Sequence, residues 1–277
     1  MILAEPRKGL FQEQPKSMAF NQNNSYRTAQ AGFGAYDTAA LDAGLRAYML
    51  RVYNWMASGL VLTGLVAFAI YAVPSLHALF YTTQMSASGA MVQVPTILSY
   101  IAIFAPLAFV LVLSFGVNKL STQAAQTLFW VFCGAMGASL TTIFMVYTAT
   151  SIGLVFFVTA GTFAATSLYG YTTGRDLTSM GSFMMMGLFG IIIAMLVNLF
   201  LHSPAIQFAI SLIGVVVFVG LTAYDTQRIK ADYVQYGSAY GTELAGKRSV
   251  YDALQLYLNF INLFLFLLQL FGQRNSR

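Results

Sequence analysis

Two carboxylates stand where apolar sequence meets charge: Asp225 in GLTAYDTQRIK and Asp252 in YDALQLYLNFINLF. A carboxyl group at such a border can exchange a proton, attract a cation or pair with an arginine, and Arg228 follows Asp225 by one helical turn. Amides then recur at helical spacing. Asp252, Gln255, Asn259, Asn262 and Gln269 fall on one face roughly 100° wide if the segment is helical. A second row of Gln207, Ser211, Gly214, Thr222 and Asp225 lies within roughly 60° of one line. Turned toward lipid, four amides and a carboxylate would cost several kcal/mol, so both rows are expected to face protein or a water-filled path. Simple helix packing through amide hydrogen bonds, worth about 0.6–2 kcal/mol each, would account for Gln207 and Ser211. It accounts less well for two rows that each end in an acid.

The elements that position these rows must be membrane helices. The chain is 58% hydrophobic and 8% charged, with a mean hydropathy of +0.68, whereas soluble domains carry about 25% charged residues. Seven windows contain no Asp, Glu, Lys or Arg: Tyr53–Val73, Ile97–Val117, Ala124–Tyr147, Ile152–Tyr171, Phe183–Leu201, Pro204–Tyr224 and Ala253–Gly272. Each is about the 20 residues a helix needs to cross hydrocarbon. Lipid offers the backbone no hydrogen bonds, so helices follow. The expected fold is therefore an all-α integral membrane protein with seven transmembrane helices. Pro204 suits a first helical turn, and Pro106 falls in mid-window, where it should kink the second helix. Residues 1–44 are polar, lack an apolar stretch fit for a signal peptide, and are expected to form a disordered cytoplasmic tail before a transmembrane domain of residues 45–277.

Cations set the orientation. The segment before the first window and the alternate connections hold Arg7, Lys8, Lys16, Arg27, Arg46, Arg51, Lys119, Arg175, Arg228, Lys230, Lys247 and Arg248, while the intervening connections hold none. The N-terminus is thus expected in the cytoplasm and the C-terminus outside, against the two cations Arg274 and Arg277 of the tail. Asp225 and Asp252 then share one depth, the cytoplasmic mouth. The cation excess suits an anionic leaflet, and without interleaved basic and aromatic residues no nucleic-acid partner is expected. Two histidines and one cysteine leave no disulfide framework and few soft metal ligands; Cys133, inside an apolar run, is expected to be a core residue.

Four stretches resemble one family. GLTAYDTQRIK and YDALQLYLNFINLFLFLL are similar to the closing two helices of the Bax inhibitor-1 family, SLYGYTTGRDLTSMGSF to its middle segment, and LRAYMLRVYNWMASGLVLTG to its first helix in the bacterial type. The resemblance covers about residues 45–272. It implies seven helices with the last at the centre of a ring of six, and a calcium leak controlled by pH through a pair of aspartates. One matches Asp225. The other belongs where this chain has Asn259, and an amide cannot change charge with pH. Asp252, about 10 Å nearer the cytoplasm on the same face, is the available substitute.

The mechanism expected from these residues closes the cytoplasmic mouth by a hydrogen bond between Asp225 and Asn259 or Asp252. Gln255, Asn262, Gln269, Gln207, Ser211 and Thr222 are the candidate pore lining. Asp225, Asp252 and nearby amide oxygens fall short of the about six to eight oxygens of a tight calcium site, so calcium is expected as a weakly held permeant ion and no cofactor is expected. A rival from another class, also implied by the resemblance, is a regulator that binds a membrane-bound protease or stress and cell-death machinery. Enzyme readings lack parts. No HExxH occurs, His77 and His202 lie outside the windows, and the seventh window has no lysine for a retinal Schiff base. An intramembrane aspartyl protease would need its two acids embedded within helices, whereas these are expected at helix ends.

Overall fold

The computed structural model describes residues 17–86, 89, 91–116, 120–236 and 242–275. Helices form over the charge-free windows. They are α1 (Ser17–Ala72), α2 (Pro74–Phe80), α3 (Ile97–Gly116), α4 (Thr122–Leu140), α5 (Thr142–Val146), α6 (Ala149–Thr172), α7 (Thr178–Leu201), α8 (Pro204–Tyr236) and α9 (Thr242–Phe271). Between α2 and α3 lies a hairpin of β1 (Tyr81–Met85) and β2 (Met91–Pro95), paired antiparallel with Tyr81 opposite Pro95 and Met85 opposite Met91. Six stretches are long and apolar enough to cross a bilayer: Leu41–Ala72, Thr122–Val146, Ala149–Thr172, Thr178–Leu201, Pro204–Tyr236 and Glu243–Phe271. The remaining window lies in α3, apolar over Ile97–Val112 with Pro106 inside the helix. This is an all-α membrane protein. Its outward face is apolar, with Ile97 80%, Phe157 76% and Phe200 81% exposed.

The chain divides into Met1–Gly44 and Leu45–Arg277. In the first unit, where the sequence leads one to expect a disordered tail, helix is assigned from Ser17; residues 1–16 lie outside the described residues. Arg7, Lys8, Lys16, Lys119 and Arg277 also lie outside them.

Two expectations about α8 and α9 need correction. The charge-free windows end at the first charged residue, but the helices do not. α8 continues from Tyr224 to Tyr236, and α9 already begins at Thr242. Asp225 and Asp252 are therefore embedded in helices rather than placed at their ends, and the long loop expected between them is mostly helix. The physical reason is that Asp225 and Arg228, one turn apart, meet each other at 3.1 Å, while Arg248 meets Asp232 at 2.9 Å. Paired charges let a helix run on beyond its apolar stretch.

The last helix is the most enclosed. Of its most apolar window 61% is buried, against 11% for α7. It packs on α8, α6 and α4, and α1 reaches it through hydrogen bonds. Tyr257 of α9 is fully buried, with its hydroxyl 2.7 Å from Thr63 Oγ1 and its ring edge-on to Phe129 and Phe132. Between lipid-embedded helices the driving force is close packing rather than escape from water. Gly170 shows this best. A Cβ there would stand 2.1 Å from the carbonyl oxygen of Ala223, so only glycine lets α6 and α8 approach this closely. At the opposite end of α9, the tail folds back along the α5–α6 connection. Thr148 N–H donates to the Gln273 carbonyl at 2.9 Å, and Asn275 N–H to that of Val146 at 2.9 Å. Residues 273–275 thus lie at the same end of the bundle as that connection.

Candidate functional site

The facing rows of α8 and α9 meet at two levels with an apolar layer between. At the first level Asp225, 2% exposed, accepts hydrogen bonds on one oxygen from Asn259 Nδ2 at 2.7 Å and Gln255 Nε2 at 3.2 Å. Its other oxygen pairs with Arg228. A buried carboxylate with both oxygens engaged by one cation and two amides is a satisfied anion, and its charge holds the two helices together.

At the second level Gln269 Oε1 accepts from Gln207 Nε2 at 2.8 Å and from Ser211 Oγ at 2.7 Å, while Asn198 of α7 donates to Gln207 at 3.3 Å. These contacts stitch α7, α8 and α9. Between the levels the contact is apolar. Gly214 of α8 makes room for the Phe266 ring, which a Cβ would meet at 2.6 Å, and Phe218 lies beside that ring at 5.9 Å between centroids.

The remaining expected residues stand apart. Thr222 is fully buried but donates to its own helix at the Phe218 carbonyl, and Asn262 likewise donates to Leu258. Asp252, 6% exposed, shares no hydrogen-bond partner with Asp225 among the described residues, although the charge of Arg228 acts on both. Its Oδ2 accepts from the Tyr48 hydroxyl of α1 at 2.5 Å, and Arg248 stands 3.7 Å from its Oδ1. The Tyr48 ring stacks on Tyr233 of α8 at 4.8 Å. The two acids thus tie α9 to different neighbours: Asp225 to α8, and Asp252 to α1. Among the described residues, no group of three or more His, Cys, Asp or Glu is placed to hold a metal ion.

Tyr48 escapes a reading based on charge-free windows because it precedes the first of them. A signal exists in the buried set Leu45, Met49, Val52, Met56 and Leu60, whose spacing marks one face of α1 extending back across Arg46 and Arg51.

Comparison with known proteins gives this arrangement a context. The family model described as "Inhibitor of apoptosis-promoting Bax1" matches residues 45–276. The chain belongs to the Bax inhibitor-1 family. It is 48% identical over 235 residues to the uncharacterized protein RP147 of Rickettsia prowazekii, covering 85% of this chain and 93% of that one. It is 45% identical over 232 residues to the inner membrane protein YbhL of Escherichia coli K12, covering 84% and 94%. An uncharacterized protein of Caulobacter vibrioides is 44% identical over 233 residues, covering 84% and 91%. In this Bax inhibitor-1 chain the matched region begins where the second structural unit begins, and it includes both acid clusters. Asn259, standing where the family resemblance implies an aspartate, is 2% exposed and directed at Asp225.

Proposed function

We propose that this chain is a multi-pass protein of the bacterial inner membrane with seven spans, counting α3, and with α9 at the centre of the other six. The distribution of cations supports a cytoplasmic N-terminus and an external C-terminus. Within it, a calcium leak is gated at the cytoplasmic mouth by Asp225, and the gate responds to pH. In this reading the chain is not an enzyme and needs no cofactor, and calcium is the permeant ion.

One observation carries the proposal: a carboxylate buried at the α8–α9 contact, with both oxygens engaged by Arg228, Asn259 and Gln255. An arrangement in which charge holds two helices together loosens when the charge is removed. Protonation of Asp225 removes the charge that Arg228 neutralises on the same helix and weakens the acceptor offered to Asn259 and Gln255 of α9, so acidification loosens the contact. The described arrangement is the closed one, because Arg228 occupies the carboxylate that a cation would need and the Phe266 layer blocks the path. Asp252 lies outside this gate and serves as the anchor of α1.

Calcium flux through purified protein in proteoliposomes between pH 5 and pH 8 is the test, with Asp225→Asn beside the wild type. Loss of the pH response in that variant is the expected result. Flux identical in both would remove Asp225 from the gate.

A second reading is a regulator that binds a membrane-bound protease or stress and cell-death machinery; the family description, an inhibitor of an apoptosis-promoting protein, bears on the last of these. Deletion of residues 1–40 separates the two. Normal flux with a lost effect on the partner favours the regulator.

A further inference from the structure

A groove of about 700 Å³ runs along the outside of the bundle between α1 and α6, and its floor is Phe260 of α9. On α1 its lining extends from Arg46 to Val61, which at about 1.5 Å per residue is roughly 22 Å. On antiparallel α6 it extends from Tyr171, at the Arg46 end, to Phe156. Half of a bilayer, headgroup included, is about 20–22 Å thick. The groove therefore has the length of one lipid molecule rather than of a spanning helix.

Its chemistry is graded in the same direction. Arg46 stands exposed at one end and forms no ion pair among the described residues. The neighbouring cation Lys230 is already engaged, reaching over the Tyr171 ring at 4.9 Å from its centroid and donating to the Tyr171 carbonyl at 2.8 Å, and it lines a separate hollow with Gly170 and Thr173. Beyond Arg46 the wall is almost wholly apolar. Its polar side chains are already spoken for: the Tyr53 hydroxyl lies 2.6 Å from Ser167 Oγ, which lies 2.9 Å from Thr226 Oγ1 inside the bundle. A polar solute would find no free partner along this wall, whereas a hydrocarbon chain needs none.

We propose that the groove is a binding site for one anionic phospholipid, with its phosphate at Arg46 and one acyl chain laid along α1 and α6 onto Phe260. A cation near a membrane surface contributes about fivefold to the binding of an anionic lipid. The site is independent of the gate proposed at Asp225, which lies on the α8–α9 contact, and neither Arg46 nor the groove wall takes part in that gate.

Native mass spectrometry tests this on full-length protein extracted from vesicles of phosphatidylglycerol and phosphatidylethanolamine. The wild type retains phosphatidylglycerol about fivefold over phosphatidylethanolamine. Arg46→Gln still carries lipid but loses that preference, and Arg46→Lys keeps it. Ala164→Trp and Ala57→Trp, which place an indole in the groove from opposite walls, lose the retained lipid; two plugs guard against one that fails to fold. A preference unchanged in Arg46→Gln overturns the proposal, as does lipid retention unchanged in both tryptophan variants. A dimer that the tryptophans dissociate also overturns it, because the groove would then hold a second copy of the chain.

Discussion

Asn259 donates its amide N–H to the Asp225 carboxylate across the α8–α9 contact at 2.7 Å, with both side chains 2% exposed. An amide in this position satisfies the carboxylate without competing for its proton. A carboxylate there would compete. In Asn259→Asp two carboxyl groups stand within hydrogen-bond distance, and they can be accommodated only by sharing one proton. The expected outcome is a steeper dependence of calcium flux on pH than in wild type, read in proteoliposomes across pH 5–8. An unchanged slope would mean that proton control does not run through this pair.

Tyr48→Phe tests the anchor rather than the gate. The substitution keeps the ring that stacks on Tyr233 but removes the hydroxyl that donates to Asp252. A buried carboxylate that loses a donor costs about 1–3 kcal/mol, leaving Arg248 at 3.7 Å as the nearest ion-pair partner. The melting temperature in detergent should fall, while the pH response of flux keeps its wild-type shape. A shifted pH response would instead join the two acid clusters into one device.

How far these clusters could be read in advance differs for each. Charge-free windows mark the spans because uncompensated charge in lipid is expensive, and the row Asp252, Gln255, Asn259 marks a protein-facing side of α9 because amides in lipid are expensive too. Both signals are local. The partner of Asp252 is not, since Tyr48 is 204 positions away and no periodicity of one helix states which side chain of another meets it. The apolar layer at Phe266 is hidden for the same reason. Gly214 appears in the polar row as a small residue, and only the packed structure shows an aromatic ring filling its place. Helix ends fail differently: hydropathy reports where charge starts, and α8 carries paired charge for three further turns.

Gly170→Ala should harm folding more than any exposed change on α6. The added methyl meets the backbone oxygen of Ala223, which cannot rotate away as a side chain can. Overpacking of this kind costs about 1–3 kcal/mol and separates α6 from α8. Reduced yield and a lower melting temperature are expected. Gly161→Ala, with open space around its Cβ position, is the control and should be neutral.

Asp176 supplies a pH effect of another origin. It lies between α6 and α7, and hydrogen bonds from the Thr178 hydroxyl and backbone N–H hold its carboxyl below the usual carboxylate range. A lowered value means that the stabilisation is fully present above the ordinary range and is lost as pH falls through the lowered one. Hydrogen exchange at the first turn of α7 should therefore accelerate only under strong acid in wild type. In Asp176→Ala it should be fast throughout, with no change in flux between pH 5 and pH 8.

Phe266→Ala addresses what closes the path once the carboxylate contact loosens. The ring fills the space beside Gly214 and lies against Phe218, separating the Asp225 cluster from the Gln207–Ser211–Gln269 cluster. Removing it joins two polar levels through a gap lined by a glycine. Truncating a buried phenylalanine costs about 3–5 kcal/mol, so the variant is destabilised however the path behaves. Flux distinguishes the roles. If the aromatic layer is a second barrier in series, calcium flux at pH 5, where the carboxylate contact has loosened, rises above that of wild type, while the variant stays closed at pH 8. Phe266→Leu, which refills most of the volume, should restore both wild-type flux at pH 5 and most of the stability. A Phe266→Ala variant that melts early but shows wild-type flux at pH 5 would leave the Asp225 contact as the whole gate.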